Sequence, residues 1–439
     1  MKPTSIEFNE KFLNALEIME DSGRSIFITG RAGTGKSTLL NLFRDSTRKR
    51  VAILAPTGVA ALNVKGQTIH SFFGFKPGIT PDQINNLRLN SKVNIYRKLD
   101  TIVIDEVSMV RADLLDCVDR FMRLNGREFD KPFGGVQMVF IGDLYQLPPV
   151  VTSGEKAVFQ SLYETPYFYG ARVFNSFDME FVELDKIYRQ HDDQFIALLN
   201  AIRNNSIAEE SLKILNQRCQ PEFEPPPDEF YVYLTTTNKL AEEINYERLA
   251  DLKGSLYTFT GNVKGDFGRE YMPTAIELEV KVGAQVMMLN NDAEGRWVNG
   301  SIGTITGITQ NWKGEHVIIA KLVDGEEVEI APLTWEIFRF FIKSRGLQSE
   351  VIGTFKQYPL MLAWAVTIHK SQGKTFDRVI IDIGRGTFAH GQIYVALSRC
   401  TTPEGIVLKK PVLKKHIWTN YQVTDFLSKY QNIQTRQRG

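Results

Sequence analysis

The sequence has few cysteines, no excess of either charge and no long apolar run. Its 439 residues include only Cys117, Cys219 and Cys400, which excludes a disulfide framework, offers no paired metal-ligand spacing and indicates a reducing compartment. Because 52 Lys and Arg balance 51 Asp and Glu, any surface for a polyanion must be local. With no secretory signal and no apolar stretch of about 18 residues, we expect a soluble intracellular protein, in the cytoplasm (nucleoid) if bacterial.

The length predicts at least two domains. In the first half, short apolar, β-branched runs alternate with helix-like segments such as 37–44 and 111–124. Buried parallel strands have this composition, so we predict an α/β fold. The runs are residues 25–29, 51–55, 101–104 and 137–141.

The second half begins a new series of strands beyond residue 183, with runs at 231–234, 378–381 and 406–409. Between 258 and 352, short strands at close spacing are broken by Gly and Asn turns. This pattern predicts a small β-barrel inserted into a second α/β domain.

A glycine-rich segment joins the run 25–29 to an apolar helix and matches the phosphate-binding pattern GxxxxGK followed by Ser or Thr. Such a loop turns its backbone N–H groups toward phosphates, and the following helix adds its positive end. Lys36 would reach the β- and γ-phosphates and the Ser37 hydroxyl would ligate Mg²⁺. A glycine turn with a solvated lysine is the alternative, which the flanking strand and helix disfavour. The predicted nucleotide-binding residues of this loop are Gly30, Ala32, Gly33, Thr34, Gly35, Lys36, Ser37 and Thr38.

An acidic pair, Asp105 and Glu106, ends the apolar run 101–104. Ligands of open α/β sheets lie at the carboxyl ends of strands. Asp105 would then hold Mg²⁺, and Glu106 would orient or deprotonate the attacking water. An acidic pair alone is more often a cap or a solvated turn, but the phosphate-binding loop upstream favours the catalytic interpretation.

Three further side chains are candidates for contact with the γ-phosphate. Gln146, in Gly-Asp-Leu-Tyr-Gln-Leu-Pro-Pro-Val (142–150), can sense nucleotide state, although the same segment alone would be interpreted as a rigid turn. Arg189 and Arg399 can supply positive charge, which two-domain motors can bring from the opposite lobe. Single arginines are usually surface residues, so their assignment depends on the family pattern below.

Two segments are candidates for contact with nucleic acid. Residues 367–372 are polar and basic with one imidazole, and they follow a strand, so they can donate to phosphate oxygens. Phe72, Phe73 and Phe75 can stack on or separate bases. Large apolar residues are mostly buried, however, so a place in the core is the stronger interpretation of these rings from composition alone.

The motifs together resemble those of a known family. The most specific are GRAGTGKS (30–37), APTGVAA (55–61), QTIHSFF (67–73), IDEVSM (104–109), PFGGVQ (132–137), AWAVTIHKSQG (363–373) and YVALSR (394–399). In order and spacing they are similar to the petite-integration-frequency family of 5′-to-3′ DNA helicases, within superfamily one, type B. The resemblance extends from residue 8 to about 410. One departure is Phe12, which stands where the family has a Gln that reads adenine.

The resemblance implies two RecA-like lobes, residues 1–64 with 83–178 and residues 179–257 with 353–439. Residues 65–82 would be a small insertion bearing a strand-separating wedge, and residues 258–352 the inserted barrel. Residues 113–123 look like a helix that distinguishes this family, and their apolar spacing also fits an amphipathic core helix.

The resemblance also implies ATP and Mg²⁺ as cofactors, with Lys36, Ser37, Asp105, Glu106, Gln146, Arg189 and Arg399 forming the site between the lobes. Gly373 would couple that site to DNA. The implied partner is single-stranded DNA, or tailed or structured duplex, bound by a monomeric motor with no membrane. The implied DNA-contacting residues are Thr57, Gly58, Val59, His70, Phe72, Pro148, Pro149, Thr235, Asn238, His369, Lys370, Ser371 and Gln372.

Two other functions stay open from the sequence. One is a 5′-to-3′ translocase acting on RNA, because nothing except the resemblance separates DNA from RNA. The other is a nucleotide-gated module that clamps nucleic acid without unwinding it, which the complete set of hydrolytic residues disfavours.

Overall fold

The computed structural model describes residues 9–76, 78–88, 95–151, 155–226, 229–311, 314–343, 346–384, 386–387 and 389–437. The chain forms two compact units. Unit 1 is Met1–Arg189 with Phe338–Glu350 and Asn420–Gly439, and unit 2 is Gln190–Ile337 with Val351–Thr419. The start of the predicted first lobe, residues 1–8, and position 77 of the predicted wedge lie outside the described residues. Among the described residues, no helix is both long and apolar enough to cross a bilayer.

Unit 1 contains a parallel six-stranded sheet. Its strands are arranged in the order β3-β2-β4-β5-β1-β6, and each pairs in parallel with its neighbour. Every residue of β1, β4 and β5 is buried, which explains why these strands are apolar runs without alternation. The α/β prediction is thereby confirmed. The strands are β1 (Ile26–Gly30), β2 (Val51–Ala55), β3 (Gln67–Thr68), β4 (Thr101–Ile104), β5 (Gln137–Ile141) and β6 (Glu180–Leu184).

Helices cover this sheet, and alternate residues of a strand enter two different apolar clusters. Ile26 and Ile28 of β1 pack in a cluster with residues of α1 and α2, whereas Phe27 packs in the cluster that holds Leu115 and Phe121 of α5. The amphipathic helix predicted at 113–123 is therefore a core helix. The helices are α1 (Glu10–Asp21), α2 (Lys36–Ser46), α3 (Gly58–Asn63), α4 (Ile69–Phe73), α5 (Ala112–Asn125) and α6 (Lys156–Leu162).

Unit 2 combines a parallel sheet with antiparallel ones. Its helices are α7 (Asp193–Arg203), α8 (Glu209–Asn216), α9 (Asn238–Asp251) and α10 (Gln392–Leu397). The strands are β7 (Val232–Thr235), β8 (Tyr257–Thr260), β9 (Asn262–Gly265), β10 (Glu277–Val280), β11 (Gln285–Met288), β12 (Ile302–Gln310), β13 (His316–Leu322), β14 (Glu327–Ile330), β15 (Leu333–Lys343), β16 (Gly346–Gln357), β17 (Leu360–Leu362), β18 (Ala365–Thr367), β19 (Val379–Asp382) and β20 (Ile406–Leu408). Of these, β15 and β16 belong to unit 2 only in part, because both include residues of the segment Phe338–Glu350 of unit 1.

The parallel sheet of unit 2 has the order β18-β7-β19-β20. The segment predicted as an insertion forms an antiparallel sheet, β14-β13-β12-β11-β17, with an apolar cluster of its own. Its last strand, β17, pairs with β11, so this sheet extends past the predicted end at residue 352. Smaller sheets, β10-β8 and β15-β16-β9, complete the region.

The boundary between the units lies later than predicted. We expected residues from 179 onward in the second lobe, but β6 pairs with β1 along its whole length, from Ile26↔Glu180 to Gly30↔Leu184. Backbone pairing therefore makes β6 the edge of the first sheet. The chain leaves unit 1 only after Arg189.

The end of the chain also belongs to unit 1 rather than to the second lobe. The helix α11 (Tyr421–Gln437) buries Val423 and Leu427 in the cluster that contains Phe27 of β1. The ring of Phe426 stacks on Tyr169 with 4.0 Å between centroids. Apolar burial against the first sheet is the physical reason for this correction.

Candidate active site

The segment between β1 and α2 has the geometry of a phosphate-binding loop. Gly33 and Gly35 adopt φ angles of 81° and 87°, which glycine tolerates and other residues rarely adopt. Lys36 begins α2, and its ammonium donates to the carbonyl oxygens of Gly30 at 2.7 Å and Arg31 at 3.0 Å. The lysine is thus folded back over the loop, with helical N–H groups behind it.

The remaining loop residues divide into buried supports and accessible groups. Ala32 and Thr34 are buried, and the Thr34 hydroxyl donates to the Arg31 carbonyl at 2.9 Å. Ser37 is exposed in the first turn of α2, and Thr38 beside it is half-buried. The Ser37 hydroxyl is therefore accessible to a metal ion.

Arg189 lies against the phosphate-binding loop. The backbone N–H of Tyr188 donates to the Gly33 carbonyl at 2.9 Å. A Cβ added to Gly33 would lie 2.6 Å from the Cβ of Arg189, so this approach requires glycine. We predicted that Arg189 would come from the opposite lobe. It belongs instead to the unit that carries Lys36, because β6 leads directly into it.

Asp105 and Glu106 follow β4 at the same edge of the sheet. Asp105 is buried, and this burial together with the adjacent Glu106 carboxylate raises its pKa, while the Lys36 ammonium acts in the opposite direction. Glu106 has a left-handed backbone, φ 49°. The following turn approaches Gly142, where a Cβ would lie 3.1 Å from the Val107 nitrogen.

The donor set fits Mg²⁺. The Ser37 hydroxyl and the Asp105 carboxylate are the hard oxygen ligands that this ion takes alongside phosphate oxygens. A buried carboxylate with a raised pKa gains most from a nearby cation, because the cation offsets its desolvation.

Gln146 follows β5, which lies between β4 and β1 in the sheet. The side chain is buried, and its Nε2 donates to Oδ2 of Asp143 at 3.3 Å. The Asp143 carbonyl also accepts from the Gln146 backbone N–H at 2.9 Å. Asp143 thereby orients the amide. We name the carboxyl ends of β4, β5 and β1, with Lys36, Asp105 and Gln146, the phosphate-loop edge.

Arg399 does not present its guanidinium to a ligand in this structure. The residue is 1% exposed. Its Nε donates to the Val395 carbonyl at 2.9 Å, and Nη2 donates to the Ser398 hydroxyl at 2.9 Å. Nη1 donates to the carbonyls of Ser371 at 3.3 Å and Lys374 at 3.1 Å. The prediction that it faces the phosphates is corrected for this conformation, because acceptors of unit 2 take these N–H groups.

The bonds from Nη1 brace a turn that holds two of the predicted residues. Gln372 is half-buried in this turn, and Gly373 is exposed with φ 78°. Gly373, predicted to couple nucleotide to DNA, is thus close in sequence to both carbonyls that Nη1 of Arg399 binds. We name Arg399, Val395, Ser398, Ser371 and Lys374 the Arg399 cluster.

The predicted DNA residues of unit 1 follow β5, which is part of the phosphate-loop edge, and β2 and β3, which continue the sheet beyond β4. Thr57 caps α3 and is exposed, Gly58 is buried and Val59 is 40% exposed. His70, in α4, is half-buried. Of the two prolines after Gln146, Pro148 is half-buried and Pro149 is buried.

Phe72 does not face solvent. It is 6% exposed, and its ring makes edge contacts with Phe73 and Tyr96 at centroid distances of 4.9 and 5.5 Å. Phe73 and Phe75 are buried too and pack on Phe121 of α5. The prediction that these rings stack on or separate bases is corrected for this conformation, because an aromatic core takes up all three.

Two predicted DNA residues of unit 2 lie at the end of β7. Thr235 is buried, and its hydroxyl donates to the Thr237 carbonyl at 3.0 Å. Asn238 is exposed at the start of α9, which Thr237 caps. Asn238 is therefore the accessible polar group of this pair.

The other predicted DNA residues of unit 2 follow β18, the neighbour of β7. Lys370 is exposed and His369 is half-buried, with a pKa lowered by burial. Ser371 is buried, and its hydroxyl donates to the Ile368 carbonyl at 2.8 Å. Ser371 thus supports the turn, while Lys370 is accessible.

Sequence reasoning overlooked two neighbours of the predicted arginines. Tyr188 lies near the loop, since a Cβ on Gly35 would be 3.7 Å from its ring. Gln190 is buried and contacts the backbone beside Arg399. Both stand in the Tyr-Arg-Gln motif, which was the available signal. Phe12 is 1% exposed and, being apolar, offers no side-chain hydrogen bond to a base.

Comparison with known proteins gives consistent results. A family model described as PIF1-like helicase matches residues 8–213, and one described as Helicase matches residues 333–434. The ATP-dependent DNA helicase Pif1 of Bdellovibrio bacteriovorus is 31% identical over 92% of this chain and 88% of its own length. The chain spans 59% of the length of the helicase PIF1 of Emericella nidulans, with 32% identity over 90% of this chain.

The chain is also similar to solved structures. Pif1 from Bacteroides sp in complex with ADP-AlF4 has 37% identity and a TM-score of 0.88, covering 98% of both chains. Bacteroides Pif1 bound to ssDNA has 36% identity and a TM-score of 0.70, with the same coverage.

Proposed function

The chain belongs to the PIF1-like family of ATP-dependent DNA helicases, and on that premise we propose that it translocates 5′-to-3′ on single-stranded DNA. We propose further that Mg²⁺-dependent ATP hydrolysis drives it to unwind tailed or structured duplexes. The Bacteroides relative binds ADP-AlF4 and ssDNA, and the similarity extends over both units.

The observation that carries the proposal is the phosphate-loop edge. Three adjacent strands of one sheet lead at their carboxyl ends into the phosphate-binding loop, into Asp105 with Glu106, and into the turn that carries Gln146. Arg189 packs on the same loop. An anion cradle, a carboxylate pair with one member buried, an oriented amide and a guanidinium are the parts that phosphoryl transfer requires.

Each group has a proposed role. Lys36 would exchange its loop carbonyls for phosphate oxygens, and Ser37 and Asp105 would hold Mg²⁺. Glu106 orients or deprotonates the attacking water, and Gln146 contacts the γ-phosphate. Mg²⁺, held by Ser37 and Asp105, would supply positive charge that offsets the negative charge of the phosphates.

The two arginines differ in what they must do. Arg189 lies at the loop already and would offset charge that develops on the γ-phosphate. Arg399 would supply a second charge only after exchanging the carbonyls of Ser371 and Lys374 for phosphate oxygens. Its guanidinium therefore has two alternative sets of partners.

We propose that both units bind the DNA strand at the ends of their parallel strands. Thr57, His70 and Pro148 would contact it from unit 1, and Asn238 and Lys370 from unit 2. Contacts with phosphates and sugars give an affinity that falls with salt and has little base preference. Residues 65–82 would bear the wedge, and the antiparallel insert would close over the strand as a small barrel.

Strand displacement tests the proposal directly. Duplexes with a 5′ tail or a 3′ tail are incubated with the protein and Mg²⁺, with and without ATP. We expect displacement of the 5′-tailed duplex only, and only with ATP. Displacement from the 3′ tail would overturn the direction, and binding without displacement would identify a nucleotide-gated clamp. ATP hydrolysis stimulated more by RNA than by DNA would identify an RNA translocase.

A further inference from the structure

Gln190 fixes the backbone on both sides of Arg399. The side chain is 2% exposed. Its Nε2 donates to the carbonyl of Ser398 at 3.2 Å and to that of Cys400 at 3.0 Å. Both amide hydrogens of one side chain are thus directed at the residues that flank the arginine, which restrains the arginine's main chain.

The Arg399 side chain continues this connection to the turn that was predicted to contact DNA. Its Nη1 bonds the carbonyls of Ser371 and Lys374. These two residues enclose Gln372 and Gly373 in the sequence. A displacement of the Arg399 backbone would therefore change the hydrogen bonds that hold this turn.

In the sequence, Gln190 directly follows two residues that contact the phosphate-binding loop. Tyr188 donates to Gly33, and Arg189 packs on Gly33. Tyr188 and Arg189 therefore contact the loop, and the next residue, Gln190, bonds the backbone beside Arg399. The chain passes from unit 1 to unit 2 between Arg189 and Gln190.

We propose that Gln190 is a positioning residue through which DNA binding and ATP hydrolysis are coupled. Its two hydrogen bonds tie the Arg399 backbone to the residue that directly follows Arg189 in the chain, while the Arg399 side chain braces the turn at Ser371–Lys374. The proposal rests on the proposed function. It concerns only the dependence of hydrolysis on DNA.

A purely structural glutamine in the same unit provides a matched control. Gln285, on β11, is 7% exposed, and its Nε2 donates to the carbonyls of Tyr231 and Ala363, both at 2.8 Å. Gln190 and Gln285 are therefore alike in that each is buried and donates to two backbone carbonyls. They differ in whether the bonded carbonyls flank an arginine of the proposed site.

The experiment compares Gln190→Leu, Gln285→Leu and the unchanged full-length protein. ATP hydrolysis is measured without DNA and with saturating oligo(dT), and the ratio of the two rates is the readout. The ratio does not depend on the fraction of folded enzyme, so partial unfolding does not mimic uncoupling. We expect the ratio to fall roughly 5-fold or more in Gln190→Leu, the lower end of typical coupling between sites. Gln285→Leu should keep the ratio of the unchanged protein.

A second variant isolates the hydrogen bonds. Gln190→Glu keeps the shape, but a carboxyl group has at most one O–H and cannot make both bonds in either protonation state. We expect its ratio to fall as well. A double-mutant cycle of Gln190→Leu with Arg399→Lys should be non-additive in the ratio, because the two residues act in one network.

The outcomes separate the two proposals. An unchanged ratio in Gln190→Leu or Gln190→Glu, an equal loss in Gln285→Leu, or an additive cycle would overturn the role of Gln190. An unchanged protein that hydrolyses ATP without any stimulation by DNA would overturn the proposed function itself, and this inference with it.

Discussion

The phosphate-loop edge of unit 1 and the Arg399 cluster of unit 2 are built in different ways. In unit 1, glycines and short motifs place each group near the residues that precede it, as when Lys36 bonds Gly30 and Arg31. In unit 2, one guanidinium connects Val395 with the distant Ser371 and Lys374. The first region is where we propose that phosphate binds, and the second is a buried hydrogen-bond network.

The difference indicates how readily each cationic side chain can bind a ligand in this conformation. Lys36 is half-buried over the glycine-rich loop, where an incoming phosphate would compete with the carbonyls of Gly30 and Arg31. Arg399 is buried, and it loses several internal bonds before it can act elsewhere. Substitution at the first position should therefore affect activity, and substitution at the second should affect folding as well.

Lys36→Ala should have the largest effect and should be confined to catalysis. Removing a charge that contacts the reacting phosphates is expected to lower DNA-stimulated hydrolysis roughly 1000-fold. Binding of a fluorescent single strand, measured by anisotropy without nucleotide, should be largely unchanged.

Lys156→Ala is the control for Lys36→Ala, because this lysine is exposed in the same unit, in α6. It should leave hydrolysis intact. Full hydrolysis by a clean Lys36→Ala preparation would contradict the assignment of the phosphate-loop edge.

The same contrast explains what the sequence could predict. The loop, the acidic pair and the strand ends follow from local pattern, because a strand, a glycine turn and a helix are continuous in sequence. The strand runs 51–55, 101–104 and 137–141 coincide with β2, β4 and β5. Pattern and architecture agree where both depend on neighbours along the chain.

Predictions failed where distant segments decide the outcome. Nothing local to β6 shows that it pairs with β1, which alone places Arg189 in unit 1. Nothing local to Arg399 shows that carbonyls at 371 and 374 take its N–H groups. Composition did favour burial of Phe72, and the family pattern misdirected that assignment.

Arg399→Ala should have the second-largest effect, and it should appear in stability. The substitution leaves the buried carbonyls of Val395, Ser371 and Lys374 with one donor fewer, so unfolding should become easier by about 3 kcal/mol or more. Intrinsic fluorescence during urea unfolding reports the change, because the tryptophans in the described part of the chain all lie in unit 2: Trp297, Trp335, Trp364 and Trp418.

Arg189→Ala serves as the counterpart of Arg399→Ala. The half-buried Arg189 lies at the loop of unit 1, so its removal should lower the rate of ATP hydrolysis. The free energy of unfolding measured by tryptophan fluorescence should stay within about 1 kcal/mol of that of the unchanged protein. Equal stability losses in the two variants would remove the contrast between the regions.

Phe72→Leu should have the smallest effect, and it decides between the two interpretations of the aromatic segment. If the ring belongs to the core with Tyr96 and Phe73, a shape change within a packed cluster costs about 1 kcal/mol of stability, seen by circular dichroism. Single-strand affinity should then be unchanged. If the ring stacked on a base, its loss would weaken binding roughly 10-fold. Phe121→Leu, in the same cluster, should match Phe72→Leu in stability and in affinity. A selective loss of affinity in Phe72→Leu would mean that the ring leaves the core when DNA binds.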